Sequence, residues 1–160
     1  MQNIYTLKNA ITFNPTGKKH NVLASIARLK EIKQHKDYFG FDFEILAKDG
    51  FTVFKITKEG EPDMIHGLVA FTPSIGILRC ANMELNNFNK RPVSLYAGIG
   101  KCMVALCCSI SFDLGFDGYI TFEAKNRLMP YYMRFGAVKV GGLRMVIETK
   151  EAKKLVDLYF

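Results

Sequence analysis

No apolar run in the sequence reaches the ~18 residues of a membrane-spanning helix, so no membrane partner is expected. Met1 to Gly17 lacks the apolar core of a secretory signal, which gives a cytoplasmic protein as the expectation. The four cysteines (Cys80, Cys102, Cys107, Cys108) form no C-x-x-C pair, and three fall in one predicted helix. That spacing argues against a disulfide framework and against zinc, and reads as reduced thiols filling a core. His20, His35 and His66 make no H-x-x-x-H pattern, so no metal is expected, and a Cys–His nucleophilic pair is disfavoured. There is no internal repeat and no low-complexity linker. The 160 residues therefore read as one domain, 1–160, long enough for a proper core.

Hydrophobic residues at 49% and charged residues at 23% are ordinary for a globular chain. The charge is not neutral, however: a net +7 and a pI near 9.2 favour anionic company. Much of it lies in the N-terminal third. Asn21 is placed to cap a helix over about 22–36, with Val22, Leu23, Ile26, Leu29 and Ile32 as its apolar stripe. Arg28, Lys30, Lys33 and Lys36 fall on its other side, behind Lys18 and Lys19. Such a face is more often solvated surface, which leaves nucleic acid as a less favoured partner.

Strand patterns dominate the middle of the chain. Ile4 to Leu7 is a short candidate, closed off by the turn Asn14-Pro15-Thr16-Gly17. Phe43–Ala47 and Phe51–Lys58 are predicted as strands about a Lys48-Asp49-Gly50 turn, followed by Met64–Phe71 and Ile75–Leu85. The aromatics at 38–41 read as core or pocket wall. Asn86 to Pro92 is a polar loop of a length that can line an acceptor site. After Gly136 come strands at Val138–Gly141 and Leu143–Glu148 and a helix over Lys150–Tyr159, whose Ala152, Leu155, Val156 and Tyr159 share a face. In outline, about 1–40 is an N-terminal segment and helix, 41–95 strands, and 96–160 the remaining α/β part.

The centre of the chain is Leu95 to Gly115. Tyr96-Ala97-Gly98-Ile99-Gly100-Lys101 sets two glycines one residue apart, ahead of Ile99, Met103, Leu106, Ile110 and Leu114 at helical spacing. Glycine tolerates positive φ and lets a ligand reach the backbone. A helix N-terminus adds unpaired N–H groups and a positive dipole end, a setting for phosphate. Spacing alone leaves this reading level with that of a plain turn. A strand over Phe116–Glu123 follows, and Asn126 is placed as N-cap of a short helix carrying Pro130, Tyr131 and Tyr132.

These residues resemble the GNAT superfamily of acyl-CoA-dependent N-acetyltransferases. Gly98-Ile99-Gly100 is similar to the end of its pyrophosphate-binding turn, and Tyr132-Met133-Arg134-Phe135-Gly136-Ala137 to its tyrosine–glycine signature. Met83-Glu84, Phe88-Asn89, Tyr96-Ala97-Gly98, Gly115-Phe116-Asp117-Gly118-Tyr119 and Lys125 look closest to a subgroup carried by bacterial mobile elements. The likeness spans about residues 76–147. Leu95 departs from it, standing where the family has Arg or Gln. The resemblance implies an α/β (α+β) fold, a GNAT-like mixed, largely antiparallel sheet flanked by helices. It implies acetyl-CoA as co-substrate and an amine acceptor that the sequence leaves unidentified. It further implies cofactor contacts at Leu85, Tyr96, Ala97, Gly98, Ile99, Gly100, Lys101 and Asn126, with Tyr132 as general acid. Glu84, at the end of the strand that the family sets beside the acetyl group, is the best carboxylate for a general base. Tyr131 points about 100° away on the helix, so one of the two tyrosines is expected to serve, with Tyr131 as the alternative to Tyr132. A non-catalytic CoA- or partner-binding protein is the alternative, with Leu95 as its main support, and a homodimer stays open.

Overall fold

The computed structural model describes residues 1–160. A single nine-stranded sheet organises the chain. Its strands are β1 (Ile4–Phe13), β2 (Lys18–Ile26), β3 (Thr52–Lys58), β4 (Glu61–Ser74), β5 (Ile77–Leu85), β6 (Tyr96–Ala97), β7 (Ile120–Glu123), β8 (Val138–Gly141) and β9 (Arg144–Ile147). They run in the order β6-β1-β2-β3-β4-β5-β7-β9-β8. Every pairing is antiparallel except β5 with β7. The helices are α1 (Leu29–Gln34), α2 (Phe43–Lys48), α3 (Ile99–Asp113), α4 (Met129–Met133) and α5 (Thr149–Tyr159). No helix is long and apolar enough to cross a membrane.

Two cores result. The larger fills the side of the sheet that α3 and α5 cover, with Phe54, Val69, Phe71, Leu78 and Ile120 beneath them. The smaller lies on the opposite side, where Ile32 of α1 and Phe43 of α2 meet Val53, Ile65, Leu68 and Ala70. Helix α3 is buried nearly all round, not on one face as its periodicity predicts; Ala105, Cys107 and Cys108 are as enclosed as Met103 and Leu106. Small side chains on the second face allow close approach, and α5 packs on it as a further layer. The four thiols are free and buried. Burial raises the pKa values of Cys102 and Cys108 well above the ordinary thiol range, and for Cys107 the neighbouring Cys80 thiol does so first, with burial adding to it.

Two predicted elements are of the other type. The helix predicted over 22–36 is strand β2 followed by the short α1. The stripe Val22, Leu23, Ile26 suits either period, but Val22 and Ala24 are buried while Leu23 and Ser25 are only half-buried. Pairing with β1 on one side and β3 on the other decides the matter. Conversely, Phe43–Ala47 is helical, because the Asp42 carboxylate accepts from the Glu44 N–H at 3.0 Å and so caps α2. The first strand is longer than predicted, and β7 starts only at Ile120, after positive φ at Asp117 and Gly118.

Gly118 has φ +80°, and a Cβ there would stand 2.6 Å from the Phe112 ring and 2.8 Å from Ala152 Cβ. Both neighbours belong to packed helices, so neither can yield cheaply. Gly118→Ala is expected to destabilise by about 2–4 kcal/mol, backbone strain adding to overpacking. Urea unfolding checks this; a change within ~0.5 kcal/mol would contradict it.

Candidate active site

The parallel pairing of β5 with β7 is short: Leu78, Arg79 and Cys80 lie opposite Ile120, Thr121 and Phe122. Beyond Cys80, β5 keeps β4 as its only partner, while β7 continues along β9. A register shift in β4–β5 between Ala70 and Phe71 turns the strand at that point. The two strands thus diverge and leave a wedge with Ala81 to Leu85 along one side.

Helix α3 begins at the open end of that wedge. Gly67, paired with Leu85, has no side chain, which lets Met103 and Ile99 come within 3.0 and 3.1 Å of where a Cβ would be. Gly98 is the N-cap residue at φ +95°, and a Cβ on it would meet the Ala10 carbonyl at 2.8 Å. The first bond of the helix is Cys102 N–H to Gly98 O, so the amides of Ile99, Gly100 and Lys101 precede the ladder. Gly100 is also a packing requirement, since a Cβ there would stand 2.6 Å from the Tyr131 hydroxyl. Lys101 is half-buried with its ammonium 5.6 Å from the Phe135 ring centre. These are the groups an anionic pyrophosphate needs: N–H donors, a dipole end and a cation.

Helix α4 closes the wedge. Tyr132 packs on Phe122, ring centres 4.8 Å apart, at the last β5–β7 pair. Burial pushes its hydroxyl up to about 12, with Tyr131 and Cys80 adding to the effect. Tyr131 turns instead to the α3 terminus, its ring centre 5.2 Å from that of Tyr132. Burial raises its pKa as well, Cys102 adding to the rise and Arg134 and the Lys101 backbone N–H opposing it.

The other predicted residues are spread around this wedge. Leu85 is half-buried at the end of β5, and Ala97 is exposed in β6. The Tyr96 side chain is buried and points into the protein, its ring centre 4.8 Å from that of His66 and its hydroxyl 3.2 Å from Lys58 Nζ. Asn126 is exposed and opens a single 3₁₀ turn, Asn126–Leu128, whose N-cap is Lys125; it does not cap α4 as predicted. Leu95 is held by its backbone, donating to Phe88 O at 2.9 Å and accepting from Asn14 N–H at 3.0 Å.

Glu84 sits between two loops. Its Oε2 accepts from Gly40 N–H and its Oε1 from Phe41 N–H, both at 2.8 Å, and Lys90 completes an ion pair. Asn87 N–H donates to Tyr38 O at 2.8 Å, and the Tyr38 and Phe88 rings lie 5.3 Å apart. The carboxylate thus ties the loop before α2 to the loop after β5, beside the wedge.

Sequence reasoning missed the group that fixes the approach to α3. His66 is buried; its Nδ1 accepts from Asn89 Nδ2 at 3.1 Å, and Asn89 Oδ1 accepts from Tyr96 N–H at 3.0 Å. Asn86 Oδ1 takes a second bond from Asn89 Nδ2 at 2.9 Å. Two asparagines three apart after a strand were the available signal. Burial holds His66 at a pKa of about 4, the Lys58 cation adding to the depression and Glu61 opposing it.

No protein-family model and no curated protein matches the sequence. Solved structures do match. The ribosomal-protein-S18-alanine N-acetyltransferase of Escherichia coli superposes with a TM-score of 0.60 at 11% identity, covering 79% of this chain and 92% of that one. The aminoglycoside acetyltransferase AAC(6')-Ib, in complex with coenzyme A and kanamycin, gives 0.62 at 11% over 83% and 98%. AtaTR bound with AcCoA gives 0.59 at 12% over 84% and 97%.

His66 supplies a pH test of the loop network. Unfolded histidine titrates near pH 6.5 and the folded one near 4, so the unfolded chain binds the extra proton between these values. Stability is expected to fall as pH drops through that window, by up to about 3 kcal/mol from this group. His66→Gln should flatten the fall relative to the parent in thermal melts from pH 7 to 4; an unchanged profile would contradict the assignment. The wedge, the glycine turn and the tyrosine helix belong to a fold that this chain shares with solved structures of GNAT-family acetyltransferases.

Proposed function

We propose that this protein is an N-acetyltransferase that moves an acetyl group from acetyl-CoA to an amine by direct attack. The observation that carries the proposal is the wedge between β5 and β7, with the α3 terminus at its open end and Tyr132 at its apex. Structural neighbours hold coenzyme A or AcCoA on the same fold, which supports acetyl-CoA as the co-substrate here.

In this reading the amides of Ile99 and Gly100 hold the pyrophosphate, joined by that of Lys101 once it releases the Tyr131 hydroxyl, with Gly98 opening the turn and the Lys101 ammonium adding charge. Leu95 in place of Arg or Gln removes a side chain and leaves those amides in place. The free backbone edge of Ala81 to Leu85 orients the acyl-pantetheine arm in the wedge. Attack by the amine forms the new C–N bond and breaks C–S, and the leaving sulfur takes up a proton. Tyr132 is the donor, because a hydroxyl with a pKa of about 12 stays protonated at neutral pH.

Glu84 is the carboxylate at the acceptor end. To accept the amine proton, the role assigned from sequence, its Oε2 must first release Lys90. Its bonds to Gly40 and Phe41 meanwhile set the position of the loop carrying Tyr38 and Phe41. The acceptor is an amine that reaches the wedge past this loop.

Calorimetric titration with acetyl-CoA, CoA and ATP tests the cofactor reading, and Tyr132→Phe tests the chemistry. Binding should require the whole CoA unit. Tyr132→Phe should leave the acetyl-CoA Kd within about twofold while lowering turnover of a working amine by about 10²-fold or more. Absence of acetyl-CoA binding would contradict the co-substrate, and unchanged turnover would remove Tyr132 from the acid role.

A further inference from the structure

The charge of this chain is concentrated at one end of the sheet. Residues 1–36 hold seven lysines and arginines against one glutamate, so they carry +6 of the net +7. In the fold they are the β1–β2 hairpin and α1. The hairpin buries one face only, through Tyr5, Leu7, Val22 and Ala24. Helices α1 and α2 cover the other face of the sheet over β3 and β4 but stop short of the hairpin. Thr6, Lys8 and Lys19 are left open or half-open there, with Asn21, Leu23 and Ser25 half-buried beside them.

Between that bare face and α1 runs an open groove of about 900 Å³. Ser25 and Lys55 line it from the strands, and Arg28, Lys30, Gln34 and His35 from the helix side. Its one acid on α1, Glu31, is ion-paired with Lys55, which leaves Asp63 at the β4 end as the uncompensated carboxylate. Lys8, Lys19 and Lys30 are exposed and form no ion pair in the fold. Cations spaced over Ser, Thr and Asn donors match phosphate oxygens in a row, since those are the side chains that contact nucleic-acid backbones. No Phe, Tyr or Trp lines the groove, and its one ring, His35, has both nitrogens bonded to backbone carbonyls of Glu31 and Asp63, so the groove lacks the row of rings on which successive unpaired bases stack. It lies on the sheet face away from α3, with β2 three strands from β5, about 14 Å at ordinary strand spacing.

We propose that the outer face of the β1–β2 hairpin, which carries Lys8 and Lys19, and the groove beside α1 together bind the phosphodiester backbone of a base-paired nucleic acid. This site is separate from the acetyl-CoA wedge and does not depend on the acetyltransferase reading.

Fluorescence anisotropy of the full chain with a labelled mixed-sequence duplex, over a salt series, tests it. Affinity should fall linearly with salt on logarithmic axes, and Lys8→Gln/Lys19→Gln should lower the magnitude of that slope by about two, one per lost phosphate contact. Lys30→Glu should weaken binding by about tenfold or more at low salt. Saturating acetyl-CoA should leave the duplex affinity unchanged, and thermal melts should keep the variants within a few degrees of the parent. The proposal is overturned if the duplex does not bind at low salt, or if the variants bind as the parent does. It is equally overturned if acetyl-CoA displaces the duplex, which would put binding at Lys101 and Arg134. Equal affinity for an unpaired strand, heparin or polyglutamate would also reject a base-paired nucleic acid as the occupant.

Discussion

The short parallel pairing between β5 and β7 is the constraint on which the site rests. Three residue pairs hold the strands together, and past Cys80 and Phe122 each follows its antiparallel neighbour instead. A sheet that separates in this way exposes backbone N–H and C=O groups that a ladder would have consumed. Those groups, along Ala81 to Leu85, face a space that already contains the start of α3 and the tyrosines of α4. The divergence therefore supplies a concave space, unsatisfied donors and acceptors, and an apex packed with aromatic side chains.

Everything around the wedge fixes its edges. Gly67 admits Ile99 and Met103, so the α3 terminus sits against the end of β5, and Gly100 admits the Tyr131 hydroxyl. The loop entering α3 is pinned by His66, Asn86 and Asn89, a network that works only with neutral imidazole because Asn89 Nδ2 donates to Nδ1. Protonation would place a second N–H against that donor. Glu84 performs the matching task on the other side, where one carboxylate gathers two backbone N–H groups and a lysine.

Much of this was legible in the sequence, and the failures have physical causes. The glycine turn, α3 and the tyrosine helix stand where expected because glycine at positive φ and a long apolar run leave few alternatives. The stripe at Val22–Ile26 could not be read locally, since residues 22, 23 and 26 suit both periods and β1 and β3 decide the outcome. Phe43–Ala47 reads locally as a strand because the deciding helical signal is the single cap Asp42. The complete burial of α3 was hidden in small residues, which periodicity does not weigh. Asn126, expected as a cap, lies in a 3₁₀ turn that the spacing before Pro130 does not reveal. The roles of His66 and Asn89 depend on contacts across 23 residues, beyond any local pattern.

In the proposed function acetyl-CoA binds along the wedge with its pyrophosphate on the first turn of α3. Backbone amide chemical shifts of isotope-labelled protein, recorded as acetyl-CoA is added, test that placement residue by residue. The largest changes are expected at Ile99, Gly100 and Lys101, with a second group from Ala81 to Leu85 and at Phe122, and little change in the β1–β2 hairpin. Absence of shifts at the α3 terminus, or shifts confined to the hairpin and α1, would contradict it.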